Sequence, residues 1–319
     1  MMKLKAVLGI PVVAVLMAGA TSLRAAQLST NTRTAIPHNV QQLLVMDYRA
    51  IQNSTVATNL RERVMPPELK TFDEALRKSG LNDNHDVDQL AFVLFRPKDS
   101  EDCLESVGIA EGQFAVQEIL ADFRKQKLKS TSIRTNRVYP LAKTGMVVCF
   151  ADPSTMIFGD ADAVQQALDA RDGITSSLLA NAPILSAMQS VDSKPLWSVL
   201  DPKGTQTMMR QMLGGAASVT DSETVRKRLG ASWYAMEFQH GVKFDLTIDT
   251  GDNFAAATLA SLLSTAVALR KATGSDAEKQ ALAATSVHAD TGNLTIAFAA
   301  TDEAFLSLLQ SPLFQGMLS

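Results

Sequence analysis

Cysteine is scarce: Cys103 and Cys149 are the only two in 319 residues. Two thiols exclude a disulfide-dense miniature scaffold and a four-cysteine zinc site. Aromatic residues make up 6% of the chain, so the core has to be built from alanine, leucine, valine and methionine. None of the four histidines, His38, His85, His240 and His288, lies three to five residues from another. No H-E-x-x-H occurs, so zinc-protease chemistry lacks its ligands. No G-x-S-x-G elbow presents a serine on a strand-to-helix turn, although spacing is silent on a dispersed Ser-His-Asp triad. G-x-G-x-x-G and G-x-x-x-x-G-K are also missing, and with them the glycine loops that cradle phosphates. The run from Asn82 to Asp88 has the acidity of a calcium loop without its frame. Counted from Asp83, positions 6 and 12 are Asp88 and Leu94 where Gly and Glu are required, which leaves a polar turn. No metal or cofactor is expected.

What is present describes an exported globular chain. Hydrophobic residues reach 46% and charged residues 20%, ample for a core and far from a disordered polymer. Lys3 and Lys5 precede an uncharged stretch, Ala6 to Leu23, and small residues follow at Ala18-Gly19-Ala20 and Leu23-Arg24-Ala25. This is the layout of a signal peptide, residues 1–25, cleaved after Ala20 or Ala25, and it predicts a periplasmic or secreted protein. Gly9, Pro11 and Gly19 weaken the stretch as a permanent membrane anchor. Cleavage removes three of the 30 basic residues and no acid, so 27 face 33 acidic ones, a net charge of −6. Nucleic-acid binding needs the opposite sign. Residues 26–39 lack apolar periodicity and read as a flexible leader.

Internal repetition organises the rest. Leu43 to Asp47 is an apolar run ended by Asp, followed by a loop and a helical pattern; Leu196 to Asp201 does the same. Strand-like pairs follow in each half, and Val242, Phe244, Leu246 and Ile248 alternate with polar residues as a half-exposed strand does. Thr155 to Asp160 leads into a helix and then Ala182-Pro183-Ile184-Leu185. Leu294 to Ala299 leads into a helix and then Ser311-Pro312-Leu313-Phe314, which sets Phe158 beside Phe298 as equivalents. The order predicts an α+β fold of two related units, 40–192 and 194–319. Each is an antiparallel sheet with helices on one face, ferredoxin-like β-α-β-β-α-β with an extra hairpin and helix. Asn253 to Leu269, uncharged and alanine-rich, reads as the central packing helix of the second unit, too polar and short for a membrane span.

Four features are candidates for function. Asp47 and Asp201 each end the first strand of a unit, where ligand groups gather; the plainer account is a hydrogen bond to the following turn. Arg124, Lys125, Lys127, Lys129, Arg134, Arg137 and Lys143 lie in a run without acids, a patch suited to an anionic partner or else a solvated helix and a guarded sheet edge. Cys103 and Cys149 are an even pair in an oxidising compartment, either a disulfide or one exposed thiol and one small buried side chain. Sheet faces, and the cleft between units, are the remaining binding surfaces.

The strand ending in Asp47, the hairpin exit Ala110–Phe114 (AEGQF) and Ile157–Leu168 (IFGDADAVQQAL) resemble exported bacterial proteins of the acidobacterial type that carry duplicated α+β units. The resemblance implies a fold and a compartment and brings no activity. The function expected is a non-catalytic envelope protein that binds a partner protein or small ligand. The alternatives are a hydrolase with an unmotifed site and a structural component of the envelope.

Overall fold

A computed structural model describes residues 27–65, 67–81, 86–97, 104–141, 145–213 and 227–311, with the side chains of 67, 68 and 211–213 left out. Residues 1–26, Cys103, Lys143, Asn82 to His85 and Pro312 onward lie outside the described residues.

One antiparallel sheet of twelve strands runs through both halves of the chain, in the order β11-β12-β10-β9-β8-β1-β2-β3-β7-β6-β5-β4. The first-half strands are β1 (Val40–Asp47), β2 (Val87–Phe95), β3 (Glu105–Gly112), β4 (Thr131–Ile133), β5 (Asn136–Pro140), β6 (Met146–Asp152) and β7 (Thr155–Asp160). The second half supplies β8 (Leu196–Leu200), β9 (Ser232–Glu237), β10 (Val242–Asp249), β11 (Thr285–Asp290) and β12 (Asn293–Ala300). Outward from the central β1–β8 pair, both halves run first, second, third, fifth, fourth, and β4–β5 is the added hairpin.

Leu44 pairs with Ser198 at the centre. A two-fold through that pair carries Asp47 onto Asp201, as the repeat predicts. It carries Phe158 onto Ile296, not Phe298, because Leu246 pairs with Ile296 as Gly108 pairs with Phe158. The ferredoxin-like description does not hold. Its helical crossovers join parallel strands, whereas here β1 and β2, joined through helices, are antiparallel neighbours, and so is every other pair.

Helices cover both faces of the first half, not one. β7 is buried at every position up to Gly159 and β8 throughout, the pattern of strands packed on two sides. On one face Leu43, Val45, Ile109, Cys149, Ile157 and Trp197 form a core with helices α1 (Thr30–Ala35), α6 (Ala161–Arg171) and α7 (Ala182–Met188). On the other, Phe72 and Leu76 of α4 (Pro67–Lys78) and Ile119 and Phe123 of α5 (Val116–Lys125) pack with Ala110, Val148, Met156 and Phe158. β10 alternates as its sequence demands, with Lys243 and Asp245 turned to water.

Two short helices complete the first half: α2 (Tyr48–Ile51) and α3 (Thr55–Val64). α3 also ties the halves together, because Val56 packs with Val242 and with Phe305 and Leu309 of α11 (Asp302–Leu309). In the second half α8 (Pro202–Leu213) contributes Met209 to a core with Leu246, Ile248 and Leu294. The long helix α9 (Asn253–Thr273) adds Leu259 and Leu263, packing on β11, β12 and α10 (Asp276–Ala283). It therefore lies at the sheet's outer edge, not at its centre. Ala255, Ala256, Leu259 and Leu263 are buried, while Phe254 is 70% and Leu269 67% exposed. By length and composition alone (21 residues, mean hydropathy 1.2) α9 is apolar enough to cross a membrane.

Candidate functional site

The even positions of β1 explain the site. Gln42, Leu44 and Met46 are half-buried while Leu43 and Val45 are fully covered, so the face they share is incompletely filled. Pairing extends this face to Leu94, Phe92 and Leu90 on β2, then to Ser106 and Gly108 on β3. Above it stand the C-terminal end of α3 and the start of α4, contributing Val64, Met65 and Leu69, with Met146 and Phe158 on the far side. The sequence of α3, TVATNLRERV, offers few apolar side chains. Val56 and Leu60 are already engaged with α11, and 44% of Val64 remains exposed. The result is an apolar cavity of about 510 Å³, within the ordinary range for small-molecule sites. Three methionines, Met46, Met65 and Met146, line it, and their unbranched thioethers adapt to irregular ligands.

Phe158 sets the shape of the far wall. Its ring stacks on Phe72 at 5.1 Å and meets Phe92 edge-on at 6.1 Å. The ring tip lies over Gly108, where a β-carbon would come within 2.2 Å of it.

Polar groups stand at the two ends. At one end Gln42 Nε2 donates to Ser198 Oγ at 3.2 Å, and Tyr234 hydrogen-bonds with both. Burial raises the Tyr234 phenol above its ordinary pKa, opposed by those hydrogen bonds. Ser106 and Asp160 line the same end. At the other end the Arg61 guanidinium stacks over Tyr48 at 5.2 Å and meets Asp73 Oδ2 at 3.4 Å. From Gln42 to Met46 the floor spans about 13 Å, four residues at ~3.3 Å each.

The predicted site residues fall elsewhere. Asp47 and Asp201 are not brought together. Asp47 N donates to Pro195 O, and Asp201 N to Gln41 O, at opposite ends of the β1–β8 pair and about 20 Å apart. Each is a helix cap instead. Asp47 Oδ1 accepts from Ala50 N at 3.0 Å, and Asp201 Oδ1 from Gly204 N at 2.7 Å. Asp201 also pairs with Arg96 at 2.8 Å.

The basic run is exposed at Arg124, Lys125, Lys127, Lys129, Arg134 and Arg137. Part of its charge is matched within the fold: Arg134 forks onto Asp169 at 2.5 and 3.1 Å, and Lys125 meets Asp122 at 2.7 Å. The rest flanks β4, the outermost strand, where charge blocks pairing with another edge. Cys149 is a free thiol at the centre of β6, fully buried, with its pKa pushed up to about 11 by burial. Among the described residues no group of three or more His, Cys, Asp or Glu is placed to hold a metal ion.

The sequence marked Leu44, Met46, Phe158 and Asp160 only as parts of repeated strands, not as the lining of a pocket. The available signal was the β1 alternation of Gln42, Leu44 and Met46 beside a helix too polar to cover them.

The fold thus defines a class: an α+β protein whose two halves share one strand order in a continuous antiparallel sheet, with an apolar pocket over the first half. The chain is similar in fold to a solved structure, crystal form I of TP0453, with a TM-score of 0.52 and 11% identity over 89% of this chain and 98% of that one. Crystal forms III and IV of the same protein give TM-scores of 0.45 and 0.46, at 11% and 9% identity. No protein-family model matches the chain, and no curated protein matches it.

Proposed function

We propose that this chain is a non-catalytic binding protein acting outside the cytoplasm, and that it holds the apolar part of a small molecule between β1–β2–β3 and the α3–α4 pair. The observation that carries this reading is the 510 Å³ cavity, walled by leucine, methionine and phenylalanine and left open by α3. A cavity of that lining loses favourable burial when it stands in water, and an apolar ligand recovers about 25 cal/mol for each Å² it covers. Export follows from the basic, apolar and small-residue order of residues 1–25, and the net charge of the mature chain favours no nucleic-acid partner. Leu259 and Leu263 tie α9 into the folded body, which favours a packing role for that helix.

The test uses the mature chain and the neutral probe N-phenyl-1-naphthylamine. Saturable fluorescence enhancement is expected, and Leu44→Trp, which fills the floor, is expected to abolish it while leaving the far-UV spectrum unchanged. Probe binding that is absent, or that survives Leu44→Trp, refutes the reading.

A further inference from the structure

The cavity does not end at Met65. A polar groove of about 580 Å³ on the outer side of α3 and α4 shares Arg61 and Met65 with it. Four cations, Arg61, Arg63, Lys70 and Arg77, line the groove against the carboxylates of Glu62, Asp73 and Glu74. Arg63 and Lys70 are exposed, whereas the Arg61 side chain is 17% exposed and held in place by Tyr48 and Asp73. The opposite end of the cavity carries the other sign, with Asp160 in its wall and Asp162 in the turn that follows.

We propose that the occupant is a single-chain amphiphile with an anionic head: its chain lies in the apolar cavity along Leu44, Phe92 and Leu94, and its carboxylate or phosphate emerges beside Arg61 into the polar groove, toward the exposed Arg63 and Lys70. This rests on the binding reading above and adds the polarity of the ligand and its direction. A neutral ligand would gain nothing from the exposed Arg63 and Lys70 beside Arg61. An anion meets Arg61 where the apolar wall ends, and charge-assisted hydrogen bonds to a guanidinium are among the strong ones.

The experiment displaces bound N-phenyl-1-naphthylamine from the mature chain with dodecanoate, dodecyl phosphate and dodecan-1-ol. The anions are expected to displace it at about tenfold lower concentration than the alcohol, the worth of one charge-assisted hydrogen bond. Whichever of carboxylate and phosphate is stronger identifies the head. Arg61→Gln is expected to bring the acid-to-alcohol ratio to within about twofold. Should that variant fail to fold, 1 M NaCl on the unmodified chain is expected to shrink the same ratio by screening the exposed part of the groove. Equal displacement by alcohol and anions, or a ratio unmoved by both Arg61→Gln and salt, overturns the proposal and leaves the cavity reading standing. A chain that never takes up the neutral probe overturns both.

Discussion

Gly108 is the position where the cavity and the stability of the fold are most tightly linked. A methyl group there would meet the tip of the Phe158 ring at 2.2 Å, well inside van der Waals contact. The ring cannot yield sideways, because Phe72 stacks on it at 5.1 Å and Phe92 meets its edge at 6.1 Å. Its open direction is into the cavity. Gly108→Ala is therefore expected to cost about 1–3 kcal/mol, the usual range for overpacking, and to weaken uptake of the neutral probe. Phe158→Leu alone is expected to cost about 1–2 kcal/mol through lost packing. If the clash is the cause, the two substitutions are not additive. The shorter leucine leaves room for the alanine methyl, and the double variant should be about 1–2 kcal/mol more stable than the sum of the singles predicts. Urea unfolding of the four proteins measures the cycle. A Gly108→Ala protein with unchanged stability and unchanged probe uptake refutes the argument, as does an additive cycle.

Three further outcomes follow from the burial and charge of single groups. With its pKa near 11, the Cys149 thiol is almost wholly protonated at pH 8, so in a Cys103→Ser variant Ellman's reagent should modify it only as fast as the chain unfolds; rapid labelling of that native variant contradicts this. Asp201→Asn keeps an oxygen for Gly204 N but loses the ion pair with Arg96, whereas Asp201→Ala loses both. The alanine variant should be about 1 kcal/mol less stable than the asparagine one, and equal unfolding midpoints refute the cap. Glu105 has its pKa raised by burial, and by Asp162 and Asp160 near it. Its native state holds a proton more tightly than its unfolded state, so the group's contribution is most favourable below its unfolded pKa and falls as pH rises through the folded value. Glu105→Gln should raise the melting temperature at pH 7, with the gain vanishing below about pH 4; an unchanged or lowered melting temperature at pH 7 counts against it.

The fold was legible wherever one residue's pattern answers to one neighbour. The alternation along Val242–Asp249 announces a strand with one wet face, and the Asp that ends each first strand announces a hydrogen bond to the turn that follows, which the structure makes a helix cap, since both effects act within a few residues. Strand order was not legible in the same way. Hairpins and helices fix which strands are antiparallel, but the neighbours of β1 depend on contacts with β2 and β8 that are distant in sequence. The basic run looked like a patch because its partner Asp169 lies 35 residues from Arg134. α9 looked central because small residues suit close packing, yet only its first half has leucines at the spacing that faces β11 and β12. The cavity was illegible for a further reason: it is made by what α3 does not cover.

The duplicated architecture does not by itself produce the pocket, and the paired row of residues across the sheet shows why. Outward from the centre the first half reads Leu44, Phe92, Gly108, Phe158, and the second reads Ser198, Tyr234, Leu246, Ile296. Gly108 and Leu246 hold corresponding places. Leu246 is 1% exposed, packed with Met209 of α8 and with Leu259 and Leu263 of α9, so this face is filled in the second half. In the first half the same place has no side chain, Phe158 leans over it, and the helices above supply only the partly exposed Val64, Met65 and Leu69. One sheet face is thus a closed core on one side of the two-fold and an open apolar site on the other. The difference rests on one missing side chain and a polar α3. The open pocket therefore belongs to the first half, and the second half, through Val242, Phe305 and Leu309 against Val56, fixes the helix that forms its roof.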